Sequence, residues 1–285
     1  MTKLDLFESA FRSADKPVFN YQRIEFERLL LVTDYPSADA EALSAQVRRF
    51  LAVLDGQETR WEHLGGDGFR SVQELLDAVG ERRPDLVVTY RHLHSNAWQW
   101  PYSLGEYLDV LTQATQLPVI VLPHPDADRA LPHSLNDTDR VMAITDHLTG
   151  DDRLVNHALR FTQAGGCCWL THVESAATFE RYVDLISKIP GLETDDARDA
   201  IEAQLLKEPR DYIATCREVI EAESLPISLD EIVAMGRRLD EYRRLIREKQ
   251  VDLLVMNTMD GDQLAMKGSA YPLAVGLRSI PLLML

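Results

Sequence analysis

The sequence predicts an α/β protein made of two tandem open parallel-sheet domains, the first copy shortened. Three observations point there. Short apolar runs such as LLLV at 29–32 and LLVM at 253–256 are almost unbroken, the pattern of parallel strands covered on both faces. Stretches with apolar residues at helical spacing lie between them. The runs also recur in the same order: LLLVTD at 29–34 is echoed by VMAITD at 141–146, PDLVVT at 84–89 by VDLLVM at 251–256, and LPVIVL at 117–122 by IPLLML at 280–285.

The elements follow in order. Residues 1–27 form an extension whose opening MTKLDLFESAFRSADKP is interrupted by charges and lacks the apolar core of a signal peptide. The first domain spans 28–123. After its first strand, Leu43, Val47, Phe50, Leu51 and Leu54 mark a helix over 38–54, and 59–64 is the next strand candidate. Val72, Leu75, Leu76 and Val79 mark a second helix, and a strand starts at Asp85. Ser103 with Glu106 gives a capping-box pattern before the last helix of this half. A Pro- and Asp-rich linker, 124–138, leads to the second domain, 139–285. Here 166–173 and 227–235 read as additional strands around a long acidic stretch, so the first half is short of a strand and a helix, or pairs its edge differently. Apolar residues spaced along 184–223 predict amphipathic helices that cover the sheet or meet a partner. Leu239, Tyr242, Leu245 and Ile246 mark the helix before 251, and Gly268-Ser269 opens the one before the final strand. A free C-terminus is normally polar and frayed, so the apolar ending at 280–285 calls for a buried strand.

Composition bounds the function. The 285 residues carry 30 Lys and Arg against 46 Asp and Glu, a net charge of −16, which disfavours non-specific binding to nucleic acid or an anionic membrane. No apolar run is long enough for a transmembrane helix. The 3 cysteines offer no disulfide framework or CxxC site, and a reducing cytoplasm is the expected compartment.

With the repeat laid out, both halves resemble the universal stress protein family in its tandem, two-domain form. The residues that carry the resemblance are the first strands ending in Asp34 and Asp146, the DLLVM-type fourth strand, the Gly268-Ser269 helix start, the closing LPVIVL and IPLLML strands, and His172-Val173 at the end of the second strand. The resemblance covers 28–123 and 139–285. It implies a 3-2-1-4-5 sheet with helices on both faces. It also implies that the final strands of the two halves meet, so that 280–285 is capped by 119–122. Nucleotide-binding members carry Gly-x2-Gly-x9-Gly-[Ser/Thr] after the fourth strand, where glycines admit phosphates to the backbone and a helix start attracts anions.

This chain departs from that motif. In MNTMDGDQLAMKGSAYPLA, Asn257 and Asp260 stand where the first two glycines would be, and Asp260 and Asp262 oppose a triphosphate unless a divalent cation or Lys267 offsets them. The candidate cofactor-binding set is Asp146, Val173, Asn257, Gly268, Ser269 and Ala270. The candidate ligand is ATP, ADP or AMP, with a divalent cation for the triphosphate. The alternative is that Gly268-Ser269 only caps a helix. In the first half Trp98, Trp100 and Tyr102 occupy the phosphate-loop positions, which means either an aromatic ligand pocket or a plugged, vestigial site. His92 and His94, two apart, would share a face on a strand, but a zinc ion needs further ligands, and nothing in the sequence brings His124, His133 or His147 to them. The basic block around Arg243-Arg244 reads as a solvated helix face laced with acids. No Ser-His-Asp order, Walker loop or GxGxxG is present. The expectation is a cytoplasmic stress-response protein that acts by ligand and protein binding rather than fast catalysis, an internal pseudo-dimer that can dimerise further. The alternatives are a partner-binding scaffold with vestigial nucleotide sites and an enzyme on the same scaffold.

Overall fold

The computed structural model describes residues 17–36, 40–100, 102–145, 147–188, 194–258 and 270–285. The chain runs β1 (Arg28–Val32), α1 (Glu41–Phe50), β2 (Arg60–Leu64), α2 (Val72–Arg82), β3 (Leu86–Tyr90), α3 (Glu106–Ala114) and β4 (Val119–Leu122). It continues through β5 (Arg140–Thr145), α4 (Asp152–Phe161), β6 (Cys167–Ser175), α5 (Ala176–Ile186), α6 (Thr194–Ala222), β7 (Ser228–Gly236), α7 (Arg238–Lys249), β8 (Leu253–Met256), α8 (Ala270–Gly276) and β9 (Leu282–Met284).

The nine strands of the described residues form one sheet in the order β2-β1-β3-β4-β9-β8-β5-β6-β7. Every neighbouring pair is parallel except β4 and β9, which run antiparallel with Val119 opposite Met284 and Val121 opposite Leu282. The expected meeting of the two final strands is therefore observed. Outward from this seam the two sides read alike: β4-β3-β1-β2 on one, β9-β8-β5-β6-β7 on the other. The second side has the full five-strand 3-2-1-4-5 order and the first lacks the outermost strand, as the shortened first half predicts.

Strands β3, β4, β8 and β9 are buried along their whole length, which explains their unbroken apolar sequences. The edges behave differently. β2 alternates charged and apolar residues, and β7 carries Asp230 and Glu231, so both free edges resist pairing with another chain. The apolar ending is tied down: Leu285 N–H donates to the Met256 carbonyl at 3.0 Å, and the Leu285 carbonyl accepts from the Thr258 N–H at 2.9 Å and its hydroxyl at 2.8 Å.

The repeated Asp at the start of β3 and β8 has a structural reason. Asp85 Oδ2 accepts the N–H groups of Glu27 and Arg28 at 3.0 and 2.8 Å, and Asp252 Oδ2 accepts that of Arg140 at 3.1 Å. Each aspartate side chain clips the start of the neighbouring strand to its own. Two expectations change in detail. The helix over 38–54 stops at Phe50, where Leu51 leaves helical geometry, and 52–54 continue as a short 3-10 turn. The acidic stretch of the second half forms α5 and the 29-residue α6, which lies over β6 and β7 despite Pro209 in its interior. Residues 17–27 strap the first half to the second. Phe19 meets Tyr212 edge-on at 6.4 Å, Gln22 N–H donates to Asn156 at 2.9 Å, and Arg160 of α4 donates to the carbonyls of Ile24 and Val53.

Candidate functional site

In a sheet of this order, chemistry collects at the carboxyl ends of the strands where the chain reverses direction across the sheet. Because the two halves meet antiparallel, there are two such mouths, at opposite ends of the sheet.

The second mouth is formed by the ends of β8, β5 and β6, which are consecutive in the sheet. This order brings two candidate residues to either side of β5: Asn257 just past β8 and Val173 near the end of β6. Asn257 Nδ2 donates to Asp151 Oδ2 at 2.5 Å, and Asp151 Oδ1 caps α4 by accepting the Leu154 N–H at 3.1 Å. Among the described residues, the other Asn257 amide atom, Oδ1, is buried without a hydrogen-bond partner, as is His172 Nδ1. His172 Nε2 lies 3.3 Å from Glu174, and burial holds its imidazole below the usual histidine range, with the Glu174 charge acting the other way. Arg238 donates from Nε to the Val173 carbonyl at 2.9 Å, so an arginine already engages the backbone of this candidate residue. Ala270 is the buried first residue of α8. Asp146, Gly268 and Ser269 lie outside the described residues.

The first mouth is closed by its own side chains. Both carboxylate oxygens of Asp34 are engaged: Oδ1 accepts from the Tyr90 hydroxyl and Oδ2 accepts the His94 N–H at 2.8 Å. Burial, then this hydrogen bond and the Asp34 charge, push the Tyr90 phenol far above its usual range, so it stays a donor. A side chain at Gly66 would come within 2.3 Å of the Asp34 carbonyl oxygen, so the β2 end approaches as only glycine allows. The Tyr90 ring meets His124 edge-on at 5.0 Å, and Trp98 stacks on the same imidazole at 5.0 Å and 23°. Trp100 and Tyr102 do not join them and are 59% and 80% exposed. The three aromatic residues therefore line no common pocket, and Trp98 serves as the plug.

The histidine pair does not share a face. His92 and His94 both have left-handed backbone, with φ of 60° and 56°, which breaks strand alternation. His92 turns inward, where burial first and the Arg278 charge second lower its pKa to about 4, while His94 packs on Phe69 at 4.8 Å. Among the described residues, the group with metal-ligand spacing is Asp137, Asp139 and Asp252, whose oxygens lie within 4.8 Å of one another at the start of β5 and β8, away from the second mouth. Burial, then a hydrogen bond and charge from Asp139, raise Asp252 to about 8, so the trio holds a proton at neutral pH. Sequence reading missed this trio. Its signal was Asp252, which repeats Asp85, together with Asp137 and Asp139 just before β5.

The architecture matches solved structures. A Pseudomonas aeruginosa protein assigned to the universal stress proteins aligns with TM-score 0.53 and 12% identity, over 91% of this chain and 93% of that one. A universal stress protein from Archaeoglobus fulgidus aligns with TM-score 0.52 and 13% identity, over 90% and 95%. This chain has the universal stress protein fold. A P. aeruginosa protein of unknown function shares it, with TM-score 0.52, 14% identity and coverage of 91% and 92%. No family model and no curated protein matches the sequence. No helix among the described residues is long and apolar enough to cross a membrane.

Proposed function

We propose that the chain is a tandem universal stress protein, with domains at 28–123 and 139–285 joined by 124–138, that acts by binding an adenine nucleotide in its second half. The observation that carries this reading is the pair of unsatisfied polar atoms on either side of the β5 end, set against the fully engaged carboxylate that ends β1. Among the described residues the second mouth leaves Asn257 Oδ1 and His172 Nδ1 without partners, whereas the first mouth spends both oxygens of Asp34 internally. Unpaired buried polar atoms are costly, and a ligand relieves that cost. The nucleotide is ATP, ADP or AMP, held by Asp146, Val173, Asn257, Gly268, Ser269 and Ala270. Asp260 and Asp262 favour fewer phosphates or a divalent cation. The protein works in the cytoplasm by binding rather than fast turnover.

A second reading rests on α5. Tyr182 and Leu185 are 57% and 55% exposed there, which favours a protein partner at the helical insert. Calorimetric titration with ATP, ADP and AMP, with and without magnesium, tests the first reading. Wild type should bind weakly, and Gly268→Val and Asp146→Ala should each lose about tenfold. No heat in the wild type overturns nucleotide binding and leaves the partner-binding reading.

A further inference from the structure

A second feature of the first mouth lies beside the Trp98 plug, where the seam brings in residues from the other half. Arg278 stands just before β9 and donates from Nη2 to the Trp98 carbonyl. Arg129, in the segment between the halves, donates from Nη2 to the next carbonyl, Gln99, at 3.1 Å. The Trp98 ring stacks on His124. Arg91 is fully buried, and its Nη2 donates to the carbonyls of Ala274 at 2.6 Å and of Leu277, the neighbour of Arg278, at 2.9 Å. Three guanidinium groups and an imidazole thus share one corner of a protein whose net charge is −16.

None of these arginines has a carboxylate within ion-pair distance among the described residues. Arg91 Nε and Nη1 and His124 Nε2 are buried with no hydrogen-bond partner. The tautomer of His124 follows from its other nitrogen: Nδ1 accepts the Asp126 N–H at 3.2 Å, so the proton sits on Nε2 and that atom is an unsatisfied donor. The charges repel one another. Arg91 is lowered to about 9, by burial first and by Arg278 second. The nearby acids relieve this only in part: Asp34 is taken by Tyr90 and His94, and Asp126, whose Oδ2 lies 4.0 Å from His124 Nδ1, gives its Oδ1 to the Tyr35 hydroxyl at 2.8 Å. The corner therefore holds more donors and positive charge than the backbone carbonyls and Asp126 satisfy among the described residues.

We propose that this corner is an oxyanion site, in which Arg278, Arg129 and the Nε2–H of His124 receive a small, multiply charged oxyanion of the phosphate or dicarboxylate class, with Arg91 behind them as a fixed buried charge. Guanidinium groups suit such ligands because their planar N–H forks match paired oxygens. The site is built from side chains across the seam and is independent of the nucleotide reading of the second half. It has no counterpart there: Pro281 matches Pro118 in the repeat, so Arg278 falls opposite Thr115, whose hydroxyl is spent on the Leu111 carbonyl at 2.8 Å.

The test titrates inorganic phosphate, and separately malonate, into the full chain by calorimetry against chloride of matched ionic strength, and records thermal melting in each salt. Saturable binding of either anion with a raised melting temperature is expected, phosphate over malonate or the reverse deciding the class. Arg278→Gln should weaken binding about tenfold or more. Arg129→Gln, at an exposed position, should weaken it without disturbing the fold, and keeps the test decisive if Arg278→Gln melts early in chloride. Gly268→Val should leave this titration unchanged, which separates the site from the nucleotide reading. Absence of saturable binding for both anions in the wild type, or equal binding in wild type and Arg129→Gln and Arg278→Gln, overturns the proposal.

Discussion

The two mouths of the sheet are made from matching strands and end in different chemistry. Counting from the Asp that starts β3 and β8, Tyr90 falls opposite Asn257 and Arg91 opposite Thr258. From the shared pairing of the first two strands in each half, Gly66 falls opposite Val173. In the first mouth these positions close the site: Tyr90 engages Asp34, Gly66 lets the backbones touch, and Arg91 reaches across the seam to the end of α8. In the second, Asn257 keeps one amide atom unpaired and Thr258 only ties down Leu285. Strand interiors that are buried on both faces are held to apolar residues by packing. The residues just past the strands are free of that demand, so one architecture supports two mouths of different chemistry.

The largest break in this comparison comes from cutting the seam that joins the two mouths. β9 is hydrogen-bonded on both sides, to β4 and to β8, at the centre of the sheet. Removing residues 280–285 exposes two buried strand edges at once. The shortened protein should be insoluble or lose its cooperative thermal transition. A soluble product that melts like the full chain would mean that the halves stand without the seam. By contrast, Glu62→Ala on the half-exposed edge strand β2 should shift stability by no more than about 0.5 kcal/mol.

A smaller effect separates the equivalent positions Arg91 and Thr258. Arg91→Ala leaves the Ala274 and Leu277 carbonyls without their donor and empties a buried volume. Relief of the buried charge offsets only part of this, and the loss should be about 2–4 kcal/mol in urea unfolding. Thr258→Val keeps the shape and removes one hydroxyl bond to Leu285, for about 1 kcal/mol. Equal losses would show that the cross-seam arginine contributes no more than an ordinary hydroxyl.

How much of this was legible in the sequence depends on which forces were local. The central strands were readable because burial on both faces leaves an unbroken apolar signature, and the final-strand pairing was available through what the family resemblance implies for 119–122 and 280–285. The boundaries of α1 were not readable, since Leu51 and Leu54 keep the helical spacing while the backbone has already left it. At the site, the Asp34 and Asp146 strand ends and the obstructing Trp98 were visible. The contacts of Arg91 with Leu277 and of Arg278 with Trp98 were not, because they join residues far apart in the chain and depend on the seam. The His92 and His94 pair misled, because spacing of two implies a shared face only in extended backbone, and both residues have positive φ.

The smallest expected effect tests the other end of the repeat, where Asp85 and Asp252 do the same clipping in different company. Asp85 faces Arg28, 3.9 Å from its carboxylate, whereas Asp252 faces Asp137 and Asp139. With Asp252 raised to about 8 by burial first and Asp139 second, the native state keeps a proton that the unfolded chain releases near pH 4. The folded form binds more protons across that window, so this residue's contribution to stability is full below about pH 4 and is lost as pH rises towards about 8. Asp252→Asn fixes the protonated pattern: its Oδ1 can still accept the Arg140 N–H and its amide can donate to Asp139. It should be close to neutral at pH 5 and stabilising by about 1–2 kcal/mol at pH 8, the gain limited because Arg140 lies 3.7 Å from Asp139 and already takes up part of the repulsion. Asp85→Asn has no acid pair to relieve and weakens a charge-assisted clip, so it should cost about 0.5–1 kcal/mol at both pH values. Urea unfolding of the two variants and the wild type at pH 5 and pH 8 measures both. A gain at pH 8 for Asp85→Asn as well, or none for Asp252→Asn, would show that the acid trio does not set the two clips apart.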